Sequence, residues 1–66
     1  MSVAKTVELT ARSDKSFDDA IEEGVKKASE SIKGMRQAWV SEQKVFIEDG
    51  KVSGYQVDLK VTFVVD

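Results

Sequence analysis

Sixty-six residues are expected to form one small domain, 1–66, whose core buries only about 60% of the unfolded surface. Cysteine and histidine are both absent, which excludes disulfides and all but excludes a zinc cage, leaving an idealised core or association with further copies of the chain. Ten basic against twelve acidic residues give a net charge of −2 with no basic stripe, so no nucleic-acid partner is expected.

The first element is a half-buried strand. Val3, Lys5, Val7, Leu9 and Ala11 alternate with Ala4, Thr6, Glu8 and Thr10, a period of two that Arg12 to Lys15 then breaks.

A helix follows. Ser16 suits its N-cap, and Asp19 stands three residues on in capping-box spacing. Phe17, Ala20, Ile21, Gly24, Val25, Ala28, Ile32 and Met35 recur in steps of three and four and draw one apolar stripe. The opposite side carries Glu22–Lys26 and Glu23–Lys27 at i,i+4 in the favourable order. Gly34 suits the left-handed position that ends a helix.

From Gln37 the period returns to two. Ala38 and Val40 point one way, and Gln37, Trp39 and Ser41 the other. The alternation blurs over Glu42 to Lys44, which predicts a bulge or a strong bend. Val45, Phe46 and Ile47 then run into Glu48-Asp49-Gly50-Lys51, whose Asp-Gly is a hairpin signal. In the last segment Tyr55, Val57, Leu59, Val61, Phe63 and Val65 share one face, and Gln56, Asp58, Lys60 and Thr62 the other. The whole predicts an α+β fold of order β-α-β-β, with one helix packed across one face of a three-stranded antiparallel sheet.

One helix shields one side only. The other side carries Thr6, Glu8, Trp39, Ser41, Gln56, Asp58, Lys60 and Thr62, a large aromatic among polar neighbours. At least two strand edges also stay unpaired, a liability that proteins normally cover. Packing against copies of the same chain removes both problems, so a homo-oligomer is expected on physical grounds. Apolar runs such as Phe63–Val65 are far too short to cross a bilayer, and Met1–Lys5 has no apolar signal core. The expectation is a soluble cytoplasmic protein without a membrane partner.

The chemistry-bearing residues exclude more than they offer. Without histidine or cysteine the commonest general base and the commonest activated nucleophile are missing, so no catalytic residues are assigned and no enzyme is expected. Asp18, Asp19, Glu22 and Glu23 cluster early in the helix, but lack calcium-loop spacing and are better read as a solvated face near the positive helix end. No metal ligands are assigned. Gly24, Gly34, Gly50 and Gly54 form no phosphate-cradling pattern. Trp39 is the informative residue. Its parity opposes that of Ala38 and Val40, so it is either an interface residue or a platform on which a flat ligand stacks. Gln56 has the same outward parity on the adjacent strand and offers an amide donor and acceptor. An aromatic with an amide suits a planar heteroaromatic ring such as a flavin.

The order, spacing and length of these segments resemble those of the dodecins, small proteins that form hollow dodecamers and bind flavins. The resemblance is carried by Lys5-Thr6-Val7-Glu8-Leu9-Thr10, Ser16-Phe17-Asp18-Asp19-Ala20-Ile21, Val25-Lys26-Lys27-Ala28, Glu48-Asp49-Gly50-Lys51-Val52 and Tyr55-Gln56-Val57-Asp58-Leu59-Lys60-Val61-Thr62-Phe63. It implies a homododecamer that stores or sequesters riboflavin or FMN without turning it over. Flavin-binding members have a stacking Trp in a pattern Trp-x-Glu-Val and a Gln on the last strand at the ring edge. The Gln corresponds to Gln56, but this chain reads Gln37-Ala38-Trp39-Val40, which puts the Trp two residues further on. Two residues keep the face and move the ring roughly 6–7 Å along the strand. The expected cofactor-binding residues are thus Trp39, Gln56 and Gln37. A calcium-binding branch of the family supplies the rival expectation, a flavin-free shell that holds calcium, other cations or another small cofactor.

Overall fold

The computed structural model describes residues 3–65. The elements are β1 (Val3–Ser13), α1 (Phe17–Ser29), β2 (Met35–Glu48) and β3 (Lys51–Val65). The strands make one antiparallel sheet in the order β1-β3-β2, so the last strand is the central one. The α+β, β-α-β-β arrangement is the expected one.

Alternation decides which side the helix takes. Val57, Leu59 and Val61 of β3 are buried beneath α1, which meets them with Ala20 and brings Phe17, Ile21 and Val25 around the same core. Val7, Leu9 and Ala11 of β1 and Met35 of β2 complete it. The helix packs on β1 and β3 and leaves β2 almost uncovered. Its 13 residues rise roughly 20 Å, whereas the molecule is 52 Å long. Both ends of the sheet therefore extend past their cover. Gly24 sets how closely the helix approaches: a Cβ there would lie 2.9 Å from the Ala11 Cβ.

The helix start is the predicted one. Ser16 Oγ accepts the Asp19 N–H at 2.9 Å. The Asp19 carboxylate turns to the sheet, where it accepts from Ser13 Oγ at 2.6 Å. Ser13 Oγ in turn accepts the Lys15 N–H at 2.9 Å. This corner explains why β1 runs on through Arg12 and Ser13, beyond the expected break. The helix end differs from expectation. α1 stops at Ser29, and the Ser31 and Ile32 N–H groups both donate to the Ala28 carbonyl. Gly34 does have φ +75°, but it stands at the entry to β2, where its carbonyl accepts the Val64 N–H at 3.4 Å. Met35 belongs to β2 and not to the helix stripe. The two predicted i,i+4 pairs give way to Lys27–Glu30 at 3.4 Å, the one ion pair among the described residues.

Asp49 (φ 53°) and Gly50 (φ 76°) both take left-handed conformations between paired Glu48 and Lys51. Two consecutive positive φ angles are the mark of a type I′ hairpin turn, the one matched to strand twist. The expected bulge in β2 is present as a register shift between Val40 and Glu42, with two further shifts at Met35/Gln37 and Phe46/Ile47.

Candidate functional site

The sheet face away from the helix is built in rows set by the register. Thr6, Thr62 and Gln37 form one row; Glu8, Lys60 and Trp39 the next. Thr10, Asp58 and Glu42 follow, then Arg12, Gln56 and Lys44, and finally Gly54 with Phe46. Opposite residues of an antiparallel pair share a face, so each row is a contiguous strip of side chains.

Hydrogen bonds tie the middle of this face. Thr10 Oγ1 donates to Asp58 Oδ1 at 3.1 Å, and Ser41 Oγ, at the bulge, donates to the Asp58 carbonyl at 3.0 Å. The two threonine hydroxyls of the first row lie 3.4 Å apart.

Trp39 stands on this outward face, as expected, and is 64% exposed. That degree of exposure removes any role in the protomer core. Gln37 lies next to it on the same face, and Gln56 is on that face too, half-buried. The register nevertheless separates Gln56 from the other two. Trp39 faces Lys60 and Gln56 faces Lys44, so the row of Asp58 and Glu42 intervenes. Four residues of strand correspond to about 13 Å. Within one chain, the structure brings Trp39 and Gln37 together and holds Gln56 apart.

Enclosure follows the same division. A depression of about 170 Å³ is lined by Glu42, Gln43, Lys44, Gln56 and Asp58, below the roughly 300 Å³ at which small-molecule pockets begin. The larger groove, about 740 Å³, runs between β1 and α1 on the opposite side and touches none of the three predicted residues. A flat ligand on the outward face of a single protomer thus meets an open platform.

Sequence reasoning passed over three residues beside Gln56. The Arg12 guanidinium lies 3.9 Å from the Phe46 ring centroid, and Lys44 Nζ lies 5.5 Å from the same ring. Arg12 reaches Phe46 across Gly54: a Cβ there would be 3.1 Å from an Arg12 terminal nitrogen. Parity links Lys44, Phe46, Gly54 and Gln56, but the blurred alternation of β2 hid it. On the helix, Asp18, Asp19, Glu22 and Glu23 do not gather; among the described residues no three acidic side chains converge as a cation would require.

Residues 3–66 match the family model Dodecin. The chain belongs to the dodecin family. Solved structures agree along the whole length. The tt0972 protein from Thermus thermophilus is 29% identical with a TM-score of 0.93, covering 100% of this chain and 97% of that one. The dodecin from Streptomyces davaonensis is 26% identical with a TM-score of 0.91, covering 98% and 96%. A calcium dodecin from Mycobacterium tuberculosis, described as a calcium-chelating immunodominant antigen with a novel calcium-binding site, is 32% identical with a TM-score of 0.83, covering 98% and 93%. None of the curated proteins matches the chain. Among the described residues of this dodecin, no helix is long and apolar enough to cross a membrane.

Proposed function

We propose that this dodecin binds a flavin, riboflavin or FMN, on the outward sheet face and stores it without chemical turnover, in a cytoplasmic homododecamer. The observation that carries the reading is the 64% exposed Trp39 among the polar rows of the outward sheet face, in a chain of this family. An indole held by its strand and open to solvent loses little by accepting a planar ring, and offset stacking favours such a pair. The residues present fit the group. Trp39 offers an aromatic face, and the Gln56 amide, which enters no side-chain hydrogen bond among the described residues, offers both a donor and an acceptor to a pyrimidine edge. Gln37 borders the platform. Trp39 and Gln56 lie further apart along the sheet than the half-width of a tricyclic ring, so stacking and edge recognition come from different copies of the chain. Assembly then completes the site and also covers β2. Flavin supplies redox chemistry when bound; the chain supplies a stack that quenches its excited state.

Titration of purified protein with oxidised riboflavin and FMN, following flavin and tryptophan emission together, tests this reading. Trp39 is the sole Trp, so its emission reports one position. Saturable mutual quenching is expected, and Trp39→Ala abolishes it. Unchanged affinity in Trp39→Ala would sink the stack.

The relative described as calcium-chelating favours one second reading, a flavin-free shell that holds calcium or other cations. Glu42 opposite Asp58 places two carboxylates in one row, a repulsive pairing that a cation relieves. Calcium-dependent thermal stability without any response to flavin distinguishes this reading from the first.

A further inference from the structure

We infer that Thr6, Thr62 and Gln37 form a neutral subsite of hydroxyls and an amide beside Trp39, and that this subsite takes the polyol chain of the flavin. The inference rests on the flavin reading above and names which part of the ligand the row next to the indole recognises.

The register puts the three residues in one row of the outward face, Thr6 on β1, Thr62 on β3 and Gln37 on β2, and the row of Trp39 is the next one along the strands. Adjacent rows lie two residues apart, about 7 Å. The ribityl chain of riboflavin and FMN leaves the central ring of the flavin and bears hydroxyls along its length. With that ring stacked on the indole, a chain directed along the strands passes over Thr6, Thr62 and Gln37. Thr62 is half-buried while Thr6 and Gln37 are exposed, so the row is a shallow floor open to a ligand.

The other hydroxyls near Trp39 on this face are already engaged. Thr10 Oγ1 donates to Asp58 Oδ1 at 3.1 Å, and Ser41 Oγ to the Asp58 carbonyl at 3.0 Å. The Thr6 and Thr62 hydroxyls face each other at 3.4 Å, well beyond the roughly 2.7–2.8 Å of a good O–H···O bond. The Gln37 side chain enters no hydrogen bond among the described residues. Hydroxyls and a primary amide both donate and accept, as the hydroxyls of a polyol do. On the far side of Trp39 stand Asp58 and Glu42. Ionised carboxylates accept without donating, and covering two like charges costs their hydration. The neutral row is therefore the side of the indole on which a polyol is matched donor for acceptor.

The test compares riboflavin with lumiflavin, the same ring system carrying a methyl group in place of the ribityl chain. Assembled wild type is expected to bind riboflavin roughly tenfold tighter, as one or two net hydrogen bonds give. Thr6→Val and Thr62→Val each remove a hydroxyl, keep the shape and suit a strand. Each should lower the ratio about threefold, as should Gln37→Leu, and the two valines together bring it close to one. Thr62→Ser restores the hydroxyl and with it the ratio. In the unmutated protein, the methyl resonances of Thr6 and Thr62 followed by NMR should shift with riboflavin and much less with lumiflavin, a readout independent of any variant's folding.

Equal binding of the two ligands by wild type overturns the polyol subsite and leaves the flavin reading standing. A riboflavin preference that survives in the double valine variant and in Gln37→Leu also overturns it, because the chain is then held by other residues. If neither ligand binds wild type, the flavin reading falls and the subsite falls with it.

Discussion

β2 and β3 are joined by a two-residue turn and are nearly equal in length, 14 and 15 residues, yet they hold opposite positions in the energetics of the fold. β3 has a strand on each side and the helix across it, and Val57, Leu59 and Val61 are at most 2% exposed. β2 has one neighbour and almost no helix above it. It carries three register shifts and exposes Val40, Val45 and Ile47 along with Trp39. The protomer's own stability is concentrated in β3, while β2 presents apolar surface that a single chain leaves to water. Irregularity has a use on such an edge: bulges interrupt the ladder that would otherwise template uncontrolled pairing.

The sharpest way to break this contrast is to truncate one residue on each strand. Leu59→Ala is expected to lose about 2–5 kcal/mol, the cost of removing a fully buried Leu and leaving a cavity. A domain of this size holds only about 3–10 kcal/mol in total, so denaturant titration should find the variant largely unfolded. Ile47→Ser, at a position 70% exposed, is expected to shift protomer stability by less than about 0.5 kcal/mol and to shift sedimentation toward smaller species. Equal losses in the two variants would mean that β2 is as much a part of the protomer core as β3.

Between those extremes lies the contact of helix and sheet. Gly24→Ala forces a methyl against the Ala11 Cβ at 2.9 Å, backbone-anchored on both sides, and should lose about 1–3 kcal/mol through overpacking. Ser16→Ala removes the acceptor for the Asp19 N–H and should cost about 1 kcal/mol. Helical circular dichroism during thermal unfolding reads both. A larger loss for Ser16→Ala than for Gly24→Ala would place the sensitive point at the helix start and not at its packing.

The same contrast explains what the sequence disclosed. The helix start, the Asp49-Gly50 turn and the two faces of β3 were legible because each depends on local chemistry: a hydroxyl with an N–H three residues on, two residues that tolerate positive φ, and a strict period of two. The helix end was not legible. Ile32 and Met35 continue the spacing of the stripe, and periodicity alone does not separate a stripe residue from one that reaches the same core on a strand. Parity put Trp39, Gln37 and Gln56 on one face correctly. Their separation was hidden, because it depends on which residue of β3 each residue of β2 faces, and every bulge resets that count. The stack of Arg12 on Phe46 depends on two strands that never pair with each other, bridged across Gly54, a relation that no spacing within the chain encodes.

The smallest expected effect on the protomer belongs to the residue with the largest expected effect on function. Trp39 is on β2, and its ring is free of the core. Trp39→Ala should leave the unfolding free energy of the protomer within about 0.5 kcal/mol of wild type while removing flavin quenching. The assembled protein separates the two roles open to an outward Trp. A stacking platform leaves flavin-free assemblies of Trp39→Ala as heat-resistant as wild type, and the added flavin alone loses its stabilising effect. An interface residue does the reverse: removing a large, buried aromatic from a contact between copies lowers the dissociation temperature before any ligand is added. Thermal unfolding of both proteins, each with and without FMN, therefore decides whether the open edge of this sheet is completed by a ligand or by another chain.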